Sequence, residues 1–89
     1  KEKRRQLQID HAPHLSEGAT LIKIADKTSN LADITRDPPR NWSRRRRREY
    51  IEWAEKVISS CKKVNGPLLD NFFRVLAEAK GSLWGKVRG

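Results

Sequence analysis

Residues 21 to 35 read Leu-Ile-Lys-Ile-Ala-Asp-Lys-Thr-Ser-Asn-Leu-Ala-Asp-Ile-Thr, and this stretch decides the fold. Leu21, Ile24, Ala25, Thr28, Leu31 and Ala32 fall on one face at a period of 3.6, with Ile22 and Ile34 at its two edges. An amphipathic helix is predicted. Ser16 can cap its start, because a serine oxygen there accepts from a backbone N–H that the first turn leaves without a partner. Asp37-Pro38-Pro39 ends it, since a residue before proline is driven out of the helical region.

Working outward, Lys1 to Gln8 reads as a charged helix stopped by Asp10-His11-Ala12-Pro13-His14. On the other side, Ser43 is the natural N-cap of a third helix, in which Tyr50, Trp53, Ala54, Val57, Ile58, Cys61 and Val64 share a face. Its length approaches roughly 20 residues. Asn65-Gly66-Pro67 closes it and opens a fourth helix, with Pro67 at the permitted first position and Leu68, Leu69, Phe72, Phe73, Val75, Leu76 and Ala79 on one face. Gly81 is expected to stop that helix. No window alternates with period two, so the fold class is all-α: about four helices in one domain over residues 1–81, followed by a flexible tail over 82–89.

Composition sets the bounds. With 89 residues and 36% hydrophobic content the core is thin, and an enclosed active site built from this chain alone is not expected. No apolar run exceeds three residues, which excludes a helical membrane span, and no secretory leader is visible. A soluble, cytoplasmic protein is expected. The chain has one cysteine, Cys61, so it has no internal disulfide, in keeping with a reducing compartment. It contains no methionine and starts at Lys1, so it is expected to be a piece of a longer protein.

The net charge is +9, and residues 36–48 hold seven basic residues against one acid, which is +6 of it. Bulk basicity of this kind points to nucleic acid or an anionic surface. Placed on a helix, however, the run divides: Arg44, Arg45 and Arg48 point to solvent, whereas Arg46 and Arg47 turn toward the side carrying Tyr50. The outer three read as a solvated face in preference to a nucleic-acid contact. For Arg46, a solvated side chain and a grip on phosphate shared with Tyr50 both stay open. A small basic helical nucleic-acid-binding module is therefore the rival reading of the whole chain.

Asp26, Asn30 and Asp33 lie within about 60° of one another on the second helix. Two carboxylates and an amide along one edge are hard oxygen donors of the kind that suit Mg or Mn, although solvated or capping residues are the commoner outcome of such a pattern. His11 and His14 flank a proline that breaks the helix needed to bring both rings to one metal. Cys61 reads as a small buried hydrophobe with no partner base.

Gln8 to Pro13, the string from Leu21 to Lys27 with Asn30 and Leu31, Trp42-Ser43, and Glu49-Tyr50-Ile51-Glu52-Trp53-Ala54 together resemble one family. It is the small HD-domain hydrolases of the SpoT-like type, which remove the 3′-pyrophosphate of the alarmone ppGpp in the stringent response. The resemblance covers about residues 1–80, the C-terminal half of such a domain. It implies a partial HD-domain helical bundle with one divalent metal, usually Mn, held by two histidines and two aspartates. Asp26 matches the last aspartate ligand, Asn30 a residue beside the ribose, and Tyr50 one lining the same pocket; Arg46, and less closely Lys1, match positions near the phosphates. The partners implied are a guanosine polyphosphate substrate and the missing N-terminal half of the domain. The family's His and His-Asp ligands and its acidic pair belong to that half, and this chain has no His-Asp dipeptide. No catalytic residue is therefore expected in it, and it is expected to be inactive alone.

Overall fold

The structure, a computed structural model, describes residues 2–62 and 66–83. Four helices follow one another: α1 (Glu2–His11), α2 (Glu17–Arg36), α3 (Arg44–Ser60) and α4 (Pro67–Leu83), with a short 3-10 helix (Ala12–His14) after α1. The architecture is all-α, with no strand among the described residues. None of these helices is long and apolar enough to cross a membrane. Lys1, Lys63, Val64, Asn65 and the tail beyond residue 83 lie outside the described residues.

Local chemistry sets the helix starts as expected. Ser16 Oγ accepts from the Ala19 N–H at 3.1 Å, and Ser43 Oγ accepts from the Arg46 N–H at 3.1 Å. Gly66, at φ 110°, lies in a region that only glycine enters freely, and its carbonyl accepts the Asp70 N–H at 3.1 Å to open α4 behind Pro67.

Three ends differ from expectation. The first helix runs on to His11, because Pro13 sits in the first turn of the 3-10 helix, where a missing N–H is harmless. The third stops at Ser60: Cys61 is extended, and Ser60 Oγ donates to the Lys56 carbonyl at 2.8 Å, one of the local bonds that compete with helix continuation. The fourth passes through Gly81 to Leu83, since among the described residues only Gly66 takes the positive φ with which a glycine ends a helix.

The core is a single cluster. Ile24 and Leu31 of α2, Ile51, Ala54, Val57 and Ile58 of α3, and Phe72, Leu76 and Ala79 of α4 are all buried together. The most extensive packing joins α2 to α4, while α1 lies against α3 and has no fully buried side chain. Glu55 and Lys80 pair at 2.7 Å between α3 and α4.

The buried face of α2 is not the one that its apolar count favours. Thr20, Ile24, Lys27, Leu31 and Ile34 face inward, while Leu21, Ile22 and Ala25 are exposed, Ile22 at 73%. The helix is thus turned by about 80° from the expected orientation. Two polar residues can enter the core because each is satisfied: Thr20 Oγ1 donates to the Ser16 carbonyl at 2.8 Å, and Lys27 meets a carboxylate and an aromatic ring.

Candidate functional site

Because α2 is turned, its polar edge ends up beside α3. Asn30, half-buried, donates from Nδ2 to the Tyr50 hydroxyl oxygen at 3.0 Å. These two line a cleft of about 390 Å³ with Asp33, Ile34, Asp37, Pro39 and Trp42. Burial pushes the Tyr50 hydroxyl above its ordinary range, and the bond from Asn30 offsets part of that shift. Tyr50 is thus a neutral phenol at physiological pH. Since Asn30 already donates to its oxygen, its own proton is left to offer to a ligand.

An aromatic row backs the cleft. The rings of Trp42 and Tyr50 are 6.0 Å apart, and those of Tyr50 and Trp53 are 5.3 Å apart, edge to face. Trp53 is fixed by its Nε1, which donates to the Arg5 carbonyl at 3.1 Å. The Arg5 guanidinium and the Lys27 ammonium lie 5.1 and 4.6 Å from the centre of its ring.

Asp26 is one turn before Asn30 on α2, exposed at 57% of its side chain, with Oδ2 at 3.3 Å from Lys27 Nζ. A hard, reachable oxygen donor of this kind fits a divalent cation as one ligand. It is not a site by itself: among the described residues no three His, Cys, Asp or Glu side chains come together to hold an ion. His11 and His14, both exposed, stand with ring centres 6.5 Å apart. Cys61 is half-buried, its Sγ donating to the Val57 carbonyl at 3.4 Å, and burial raises its pKa.

Arg44, Arg45 and Arg48 are exposed and Arg47 is half-buried, as their helical angles predict, whereas Arg46 is exposed. Its guanidinium covers the ring of Trp42, just ahead of the helix, at 4.4 Å. Trp42 therefore stands in contact with both Arg46 and Tyr50. Arg47 is half-buried with its Nε lacking a hydrogen-bond partner, and Arg45 is exposed and bonded to Glu49 at 3.2 Å. Lys1 lies outside the described residues.

Lys27 was legible but overlooked. It is spaced three residues after Ile24 and four before Leu31, the spacing of a residue on the buried stripe. A charge at such a position is itself a signal.

No family model matches the chain. No solved structure matches it significantly. It is similar to curated guanosine-3′,5′-bis(diphosphate) 3′-pyrophosphohydrolases named MESH1. With that of Xenopus tropicalis it is 43% identical over 76 residues, covering 82% of this chain and 42% of the relative. With that of Homo sapiens it is 46% identical over 68 residues, covering 76% and 38%, and with that of Danio rerio 38% identical over 78 residues, covering 88% and 43%. The chain spans about two fifths of the length of these relatives.

Proposed function

We propose that these 89 residues form the C-terminal part of a guanosine polyphosphate 3′-pyrophosphohydrolase, the family with a segment of which they share this identity. The observation that carries the reading is the Asn30 to Tyr50 bond in the lining of a cleft, one turn from Asp26 on α2. In this reading the domain is of the HD type and works in the cytoplasm. Asp26 contributes one ligand to a divalent cation, manganese, whose remaining ligands come from the other part of the domain. When bound, that ion supplies electrostatic activation of water and of the phosphorus centre.

This chain's own part is binding and orientation. Asn30 and Tyr50 present a side-chain amide and a phenolic O–H to the sugar end of the nucleotide. Arg46, stacked on Trp42, carries a fixed guanidinium that forms charge-assisted bonds to phosphate oxygens. Lys1 is assigned a phosphate contact on the family pattern alone. The reading is tested in the complete protein: Asp26→Ala abolishes Mn-dependent release of pyrophosphate from ppGpp, and retained activity would overturn it. The isolated 89 residues are expected to release none.

A further inference from the structure

Lys27 is the only charged side chain buried among the described residues, at 6% exposure. It sits in the middle of the inward stripe of α2, between Ile24 and Leu31, where an apolar side chain would pack without losing hydration. Stability therefore does not account for a lysine here. Its ammonium meets Asp26 Oδ2 at 3.3 Å and the face of Trp53 at 4.6 Å. Trp53 cannot turn freely, because its Nε1 is bonded to the Arg5 carbonyl and its ring meets Tyr50, which is in turn bonded to Asn30.

From this geometry we infer that Lys27 is a positioning residue, which holds the Asp26 carboxylate in one orientation while Trp53 holds Lys27. The inference rests on the reading of Asp26 as a metal ligand. One oxygen of Asp26 is occupied by a cation that packing immobilises, so the other oxygen is presented in a fixed direction. The same indole abuts Tyr50, and the two ends of the site, carboxylate and nucleotide cleft, thereby share one rigid support.

The test uses the complete protein and Mn²⁺ alone, with affinity measured by calorimetry beside the thermal midpoint. Lys27→Met keeps the unbranched stem on Trp53 and removes the charge. Loss of a partner that orients a metal ligand lowers metal affinity about 10- to 100-fold. The thermal midpoint stays level or rises, because an apolar replacement of a buried charge is often neutral or stabilising. Lys27→Arg restores part of the affinity. A Lys27→Met protein that binds Mn²⁺ within about twofold of the parent, or that does not fold, overturns the proposal by leaving Lys27 no role or a purely structural one. Asp26→Ala separates the two claims: if it too leaves Mn²⁺ affinity unchanged, the metal-ligand reading of Asp26 fails first, and the inference fails with it.

Discussion

Asn30 donates from Nδ2 to the hydroxyl oxygen of Tyr50 at 3.0 Å, joining α2 to α3 across 20 residues of chain. Tyr50 is the single tyrosine, so the phenolate absorbance of the chain reports on it alone. Burial raises its pKa above the ordinary 10.0, and the Asn30 bond lowers it part of the way back. Spectrophotometric titration is expected to give a midpoint above 10.0 in the folded chain, falling to the ordinary value in urea. In Asn30→Leu the midpoint rises further. A folded pKa above the unfolded one means that the folded state keeps its proton longer. The associated stability is fully present below pH 10.0 and is lost as pH climbs from there through the folded midpoint.

Phe72 is fully buried and rests edge to face on Phe73, with ring centres 5.2 Å apart. Phe72→Ala is expected to remove about 3–5 kcal/mol. Marginal stability for a domain of this size is about 4–13 kcal/mol in total, so much of it disappears. A urea titration followed by circular dichroism measures the shift.

Arg44 opens α3 at the helix end that repels cations, and it is exposed to solvent. Arg44→Glu should therefore stabilise the fold by about 0.3–1 kcal/mol, an effect that weakens as salt is added. Ser43→Ala, which removes the cap of the same helix, should destabilise it by about 1 kcal/mol. Both shifts are read from urea midpoints at two ionic strengths.

Cys61 has a pKa raised above its ordinary 9.0, because burial outweighs the field of Lys23. Its thiolate is scarce at neutral pH. Reaction with a disulfide reagent at pH 8 is expected to be slower in the folded chain than in urea, and the gap should narrow as pH passes 9.0.

Residue patterns carried the number of helices, both serine caps and the Gly66-Pro67 turn, since each depends on chemistry within a few residues. They carried less well where a helix points. Leu21 and Ala25 are together more apolar than Thr20 and Lys27, yet α2 buries the latter pair because a carbonyl, a carboxylate and an indole satisfy them. Ser16 and Asp26 are close in sequence, but Trp53 is not, and no local window around Lys27 contains it. The contact of Arg46 with Trp42 is not legible in helical angles, which relate residues within α3, whereas Trp42 lies ahead of that helix. Asn30 and Tyr50 were each singled out from the sequence, and the structure adds the bond between them.

The bond from Trp53 to the Arg5 carbonyl spans 48 positions and is the main polar tie of α1 to the rest of the bundle. α1 has no fully buried side chain and is otherwise held by the partly packed Ile9 and by Gln8, which accepts from Lys23 at 3.2 Å. An element with so little apolar area to lose opens well before the whole domain does. Amide protons over residues 2–11 should then exchange with deuterium through this partial opening, while those around Ile24 and Leu31 wait for global unfolding. Each opening also strips Arg5 from Trp53 and leaves the indole held between Tyr50 and Lys27, so water reaches one edge of that stack long before it reaches the core.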